Sequence, residues 1–521
     1  MINKIRDLRH SLFTTALLLL AACSGIPDPQ SISNDPFPRG DAEEIFAAGF
    51  GNITDKYINE ITPGEYVIEG LKGLTSLDTT ISIEKADNRV ILKRLKEPVA
   101  TYIAPKTDDI DGWAFTAAQL TAESRKHSTD LMDATAEELY EVIFDGAISK
   151  LDIYSRYAGN TEADNNRAKR DGFGGIGVYL RKENNKILIN KILAETPASM
   201  SGLHKDDEVL IINGNTVSGL RASAAAKSLR GPIGSTVQLT VNCINEGIIN
   251  LEVEREHIIP KTVSAMLNNG ILHLKIKNFN HDTADSVIRE LDKAFQLENQ
   301  GLKGVVLDLR GNPGGLLKQS IQMADAFLTD GNILDTKGRH IDSLQHYEAG
   351  GDDKAHGLPV VVLVDGGSAS ASEIVAAALQ DGERAVVMGT VSYGKGTVQT
   401  VIRLPNDGEL IITWSRFMTP SGYALHGLGV LPAICTSGIN QAATPELLAT
   451  LEDQSNTLDT LGLWRQVAID NTAERNDLRS NCPPEKHAGA KDLDLARMLI
   501  EDSALYYRAL DLTAETAEAI E

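Results

Sequence analysis

The stretch Leu358–Gln380 reads LPVVVLVDGGSASASEIVAAALQ. Its first part, LPVVVLVD, is a short apolar run rich in β-branched residues, which predicts a buried strand. Two glycines, Gly366 and Gly367, then permit a tight turn. SEIVAAALQ reads as a helix, and Ser370 with Glu373 fits a Ser-x-x-Glu capping box at its start. A buried strand feeding a helix in this way argues for an α/β layer with a largely parallel sheet. The three serines at the turn raise a chemical question. Ser368 falls in the turn, Ser372 inside the helix, and Ser370 at the helix start. Free N–H groups of a first helical turn, notably that of Ala371, can hold an oxyanion with help from the helix dipole. This is the logic of a nucleophile elbow without its Gly-x-Ser-x-Gly motif, and it makes Ser370 the candidate nucleophile.

A serine needs a base. His426, in GYALHGLG, lies in a loop with no evident acid partner. Lys395, in VSYGKGTVQT, follows the buried run AVVMG and stands between Gly394 and Gly396, which let the chain turn it inward. Desolvation there can lower a lysine pKa from about 10 towards neutrality, as a base requires. Gln399, four residues on, can orient the lysine by hydrogen bonding. The spacing of a phosphate-binding P-loop is absent, and no His-Glu-x-x-His or Cys/His spacing points to zinc. The reading requires no cofactor and no metal.

The same texture extends over 257–435, where GILHLKIKNF, GVVLDLR, LPVVVLVD and AVVMG alternate with helical patterns. The hairpin TVQTVIRLPNDGELIITWSRFM follows, with its turn at Asn406–Gly408. Ahead of this core, residues 171–256 form short strands with glycine turns and one helix, GLRASAAAKSL. Their order resembles a PDZ domain, a small partly open β-barrel. On that resemblance Gly174, Gly175, Ile176 and Gly177 form a carboxylate-binding loop, whose successive N–H groups would hold the C-terminus of a peptide. The strand from Val178 would pair with the peptide as an added strand. Asp206-Asp207 stands where such modules often carry Gly-Asp.

SASASEIVAAALQD, YGKGTVQT and LDLRGNPGG, behind a PDZ-like module, together resemble the C-terminal processing, or tail-specific, peptidases. Lys395 follows Ser370 by 25 residues, the spacing of that family's Ser–Lys pair. The resemblance covers roughly residues 135–435. It implies a ClpP/crotonase-like core with Ser370 as nucleophile, Lys395 as base and Gln399 in support. It further implies an oxyanion hole of the Ala371 N–H with that of Gly314 or Gly315. Arg230, in SLRGPIG, would dock the PDZ module onto the active core. Implied partners are proteins with exposed apolar C-terminal tails, with room for an adaptor or regulatory protein and for a homo-oligomer. The rival readings are a catalytically silent PDZ scaffold and a crotonase-like acyl-CoA enzyme.

The flanks read differently. Residues 1–22 have a basic start at Lys4, Arg6 and Arg9 and an apolar run Leu12–Ala22, the layout of a signal peptide. Cys23 follows Leu20-Ala21-Ala22 and resembles a lipobox cysteine that would carry lipid. By resemblance to lipoprotein sorting, Ser24 implies the periplasmic side of an outer membrane, with a soluble periplasmic protein as the alternative. Residues 23–40, rich in Pro, Ser and Gly, read as a tether. Residues 41–165 read as a mixed N-terminal domain and 436–521 as an acidic, helical C-terminal region. An oxidising compartment permits one disulfide, and Cys435 with Cys482, both in irregular stretches, is the favoured pair. Cys243 reads as a buried thiol. A net charge of −22 argues against nucleic acid as a partner.

Overall fold

The computed structural model describes residues 37–244, 246–297, 301–438, 454–486 and 491–514. The expected signal peptide and Cys23 lie outside the described residues. The tether expectation over 23–40 needs correction at its end: Phe37 is buried and a helix begins at Arg39, so residues 37–40 are docked.

The chain opens with helices α1 (Arg39–Lys56) and α2 (Pro63–Lys72) and a meander β1 (Ile81–Ala86), β2 (Arg89–Arg94), β3 (Glu97–Ile103). Helices α3 (Ile110–Lys126), α4 (Thr129–Asp133) and α5 (Ala136–Ile148) complete the unit. Phe46 and Phe50, one helical turn apart on α1, stack with centroids 5.5 Å apart, and both pack on Phe144 of α5. This core is continuous with Tyr157, Leu404, Leu410 and Ile412. The N-terminal unit therefore seats on a hairpin described below. Strand β4 (Arg156–Ala158) stays with this core through Tyr157, which stacks on Phe144 with centroids 4.8 Å apart, and helix α6 (Asn160–Arg170) follows. β4 also pairs with that hairpin, and the expected boundary at residue 165 falls inside α6.

The second module comprises β5 (Phe173–Gly175), β6 (Val178–Glu183), β7 (Lys186–Ile192), α7 (Pro197–Met200), β8 (Glu208–Ile212) and β9 (Asn215–Thr216). It continues through α8 (Ala222–Leu229), β10 (Thr236–Cys243), β11 (Gly247–Glu254) and β12 (Glu256–Ile258). Its sheet runs β11-β10-β8-β7-β6, which leaves β6 as an edge strand beside α8. Gly177 has φ +84°, and a Cβ there would lie 2.3 Å from Thr196 Oγ1, so glycine is required. Asp206 adopts φ +75°, the left-handed turn that glycine takes more easily. Cys243 is buried on β10.

The third module holds β13 (Val263–Asn268), β14 (Ile271–Ile276), α9 (Thr283–Leu297), β15 (Gly304–Asp308), α10 (Leu317–Asp325), β16 (Asn332–Gly338) and β17 (Gln345–Glu348). β18 (Val360–Val364), α11 (Ala371–Asp381), β19 (Val386–Gly389), β20 (Thr397–Arg403), β21 (Glu409–Met418) and β22 (Ile434–Cys435) follow. One sheet runs β13-β14-β15-β18-β19-β22 and is parallel from β14 onward. All five residues of β18 are buried. Val360, Val362 and Val364 face the layer of α9, α10 and α11, while Val361 and Leu363 face the other side. There the C-terminal helices Lys491–Glu501 and Ser503–Ala514 bring Leu495, Leu499, Tyr506 and Leu512. Two helices replace one continuous pattern because Asp502 breaks the run: its Oδ1 accepts the N–H groups of Ala504 and Leu505. A second sheet, β17-β16-β21-β20, carries the hairpin on which the N-terminal unit rests.

Candidate active site

β18 delivers the chain into a turn tied by its own side chains. Asp365 accepts the N–H groups of Gly311 at 2.7 Å and Gly367 at 2.8 Å. The Ser368 hydroxyl donates to Leu309 O, and that of Ser372 donates to Asn312 O, each at 2.9 Å. Both serines are fully buried and committed to the neighbouring loop. Ser370 differs: it is only partly buried, and its backbone sits at φ +57°, ψ −115°. That region costs a non-glycine residue about 1–3 kcal/mol and recurs at functional sites. The Glu373 carboxylate accepts the Ser370 N–H at 2.7 Å and the Ser370 side chain faces the Glu373 N–H, the two halves of a capping box, but that N–H is hydrogen-bonded to Ser370 O at 2.8 Å and the hydroxyl makes no cap hydrogen bond of full geometry. The cap does not depend on the hydroxyl, because the Glu373 N–H already has the Ser370 carbonyl as acceptor.

The loop Arg310–Gly315 lies against this turn. A Cβ on Gly314 would fall 2.8 Å from the Cβ of Ser370 and 3.0 Å from the N of Ala371, so only glycine allows the approach. The Gly314 N–H is already spent on Asn312 Oδ1 at 2.9 Å. Gly315 is exposed, and its N–H and that of Ala371 have no acceptor among the described residues. Of the two glycines left open by the sequence, Gly315 keeps the free donor.

Glu373 holds the two candidate loops together. It is fully buried and accepts four hydrogen bonds. Ser392 Oγ and the Gly394 N–H reach Oε1 at 2.5 and 2.6 Å; the Ser370 and Lys395 N–H groups reach Oε2 at 2.7 and 2.9 Å. Burial pushes its pKa up, against these donors, which favour the ionised form.

Lys395 follows Gly394, whose φ is +91°, and precedes Gly396, where a Cβ would lie 2.1 Å from His426 N. Burial lowers its pKa below the usual lysine value, and Arg156 adds to this; Glu373 and Asp152 pull the other way. Its Nζ lies 5.2 Å from the centroid of the Tyr154 ring. Gln399 donates instead to Thr397 Oγ1 at 2.9 Å and Thr413 Oγ1 at 3.2 Å. The structure thus joins the Ser370 and Lys395 loops through Glu373. It does not join the three side chains to one another: no hydrogen bond among Ser370 Oγ, Lys395 Nζ and Gln399 occurs among the described residues. His426 packs edge-on against Tyr154 at 6.2 Å, and burial lowers its pKa. A cavity of about 500 Å³ opens here, lined by Tyr57, Asp152, Tyr154, Gly394, Thr413 and His426. Tyr154 escaped the sequence reading because nothing local marks it, and Glu373 was legible only as half of a cap.

A second cavity, about 490 Å³, lies between β6 and α8, lined by Gly175, Ile176, Gly177, Val178, Leu180 and Ala226, among others. Gly174 lies on β5, paired with His257 of β12. Arg230 places its guanidinium 4.2 Å from the centroid of the Phe173 ring, within the same module. Among the described residues it donates no hydrogen bond to the core, so the docking contact implied for it is not made here. Asn165, Ala168 and Lys169 of α6 also line this groove, while Arg167 and Arg170 of the same helix donate to Glu409 Oε1 on β21, at 3.3 and 3.0 Å. Cys435 and Cys482 form a disulfide.

Parallel sheet, elbow, facing lysine loop and edge-strand groove together describe a peptidase core with a PDZ module. The profile of peptidase family S41 matches residues 270–436, and that of the PDZ domain matches 166–242. The carboxy-terminal-processing protease of Bartonella bacilliformis is 38% identical over 57% of this chain and 69% of its own length. The carboxy-terminal processing protease CtpA of Bacillus subtilis is 33% identical over 58% of this chain and 66% of its own. A solved photosystem II D1 C-terminal processing protease aligns at 24% identity over 58% of this chain and 82% of its own, with a TM-score of 0.35. The chain belongs to the carboxy-terminal processing serine proteases of peptidase family S41.

Proposed function

We propose that this protein is a serine endopeptidase that captures the C-terminal tail of a substrate protein in its PDZ groove and cleaves with Ser370 and Lys395. The observation that carries this reading is the shared buried carboxylate. Glu373 fixes the backbone of both loops beside two free N–H donors. On this reading Lys395, as neutral amine, takes the Ser370 proton while Oγ attacks the scissile carbonyl. The Ala371 and Gly315 N–H groups hold the oxyanion. The lysine, now protonated, gives its proton to the leaving amine, and water hydrolyses the acyl-enzyme. Lys395 must first leave Tyr154, and Gln399 must leave its threonines to support it. These are side-chain rotations, since the loops are already joined. An entering carboxylate would meet the 174–177 loop with the Arg230 guanidinium beside it, which links tail capture to engagement of the core.

The basic N-terminus, the apolar run and Cys23 support export and lipid attachment, on the periplasmic side of an outer membrane. Among the described residues no helix is long and apolar enough to cross a membrane.

The test is to incubate the protein with an unfolded substrate ending in apolar residues and with the same substrate ending in two aspartates. Cleavage of the first, and at least tenfold less of the second, is expected. No cleavage of either overturns the proposal. The rate of the first should also rise with pH as Lys395 loses its proton, with a midpoint below the ordinary lysine value of about 10.4. A flat profile would rule out a lysine base.

A further inference from the structure

The Lys395 loop is gripped from behind by a segment beyond the residues matched by the family profile, which end at 436. Helices α12 (Gln454–Gln466) and α13 (Thr472–Arg479) precede the two C-terminal helices already described. Arg475, buried on α13, donates to Ala424 O and to His426 O, both at 2.6 Å. Arg479, one turn on, donates to Ser392 O at 3.0 Å and to Leu428 O. Trp464 Nε1 of α12 donates to Gly429 O at 3.2 Å. The segment they hold, 424–429, is built into the lysine turn. Gly427 N–H donates to Gly394 O at 2.8 Å, and Gly396 abuts His426. Ser392, whose carbonyl Arg479 holds, donates its hydroxyl to Glu373. Three residues after Arg479, Cys482 is bonded to Cys435 on β22. Glu485 O then accepts the N–H of Gly366 at 2.8 Å, at the elbow itself.

One covalently anchored stretch, 475–485, therefore touches both halves of the site. We propose that Arg475 and Arg479 are positioning residues for Lys395, and that the Cys435–Cys482 disulfide fixes them in place. The inference rests on Lys395 being the base. A planar guanidinium suits the task because its fork can hold two carbonyls of a glycine-rich loop at once. Its glycines leave such a loop more conformational freedom to be restrained. Without the clamp, Lys395 would be displaced by the order of an ångström and would be better solvated.

The test uses the full chain with an apolar-tailed substrate. Arg479→Met keeps the apolar stem and removes the donors. Its kcat is expected to fall on the order of 10²-fold, the usual cost of such a displacement. KM and the affinity of the PDZ groove for a tail peptide should stay unchanged. The rising limb of the pH profile should move to higher pH as the lysine regains water. A purely structural role would lower the active fraction without moving that limb. Arg479→Lys should restore part of kcat. The double variant Cys435→Ser/Cys482→Ser should repeat the Arg479→Met pattern on the fraction titrated by a serine-reactive phosphonate, and it decides the matter if Arg479→Met does not fold. An active parent with an Arg479→Met variant of unchanged kcat and pH profile overturns the clamp alone. An inactive parent overturns the activity beneath it.

Discussion

Replacing Ser370 with alanine is expected to lower cleavage of an apolar-tailed substrate by about 10⁴-fold or more, and Lys395→Met to do nearly the same. On the proposed mechanism, nucleophile and base act as one unit. Neither can form the acyl-enzyme alone, so the double variant should be no worse than either single one. Both substitutions fit their surroundings: the Ser370 hydroxyl makes no cap bond, and the Lys395 ammonium rests on a ring face rather than in an ion pair. Folding should survive, and calorimetry with a tail peptide should show undiminished binding, because the groove lies in the other module. Steady-state cleavage and binding, measured together, check this. Activity within tenfold of the parent in Ser370→Ala would remove the serine from the mechanism. Multiplying losses in the double variant would separate the two residues.

Glu373→Gln is expected to cost about 1–3 kcal/mol of stability and to reduce kcat sharply, although it changes no shape. Each carboxylate oxygen now accepts two hydrogen bonds, from Ser392 Oγ and Gly394 on one side and from Ser370 and Lys395 on the other. A glutamine places an NH₂ against one of these pairs, and a buried donor left without an acceptor costs about 1–3 kcal/mol. The Ser392 hydroxyl can turn; the N–H groups cannot. The amide should therefore face Gly394, and the lysine turn loosens first. A second consequence is electrostatic and opposes the upward shift that a loosened turn would bring. The Glu373 charge raises the Lys395 pKa, so its removal should shift the rising limb of activity to lower pH. Urea denaturation and a pH–rate profile on the same variant read both effects. Unchanged stability would mean that the four bonds are not what joins the loops.

The elbow was legible because its determinants are local. Apolar continuity marked β18, two glycines marked the turn, and position relative to the helix start singled out Ser370 among three serines. The strands and helices of the core, the hairpin at Asn406–Gly408 and the groove module were legible for the same reason. What the sequence could not supply were partners brought from afar. Nothing near Glu373 reveals that Ser392, Gly394 and Lys395 will converge on it. Gly314 and Gly315 look alike until Asn312 is seen to occupy the first. Tyr154 and the arginines 475 and 479 sit in segments of unremarkable composition, and only tertiary packing sets them against the lysine turn. The expected boundary at 165 cuts α6, whose partners, the groove and Glu409, are brought to it only by tertiary packing.

Helix α6 has one more consequence. One face of it walls the tail groove, and its two arginines grip Glu409, at the start of the strand whose Thr413 receives the Gln399 side chain. If occupancy of the groove moves this helix, groove and hairpin become two corners of one thermodynamic cycle. Linkage then runs both ways. Whatever factor a bound tail contributes to the engaged arrangement of Ser370 and Lys395, a molecule that traps that arrangement returns to the tail. On that cycle an acyl-enzyme would bind the expelled tail fragment more tightly than the resting protein does.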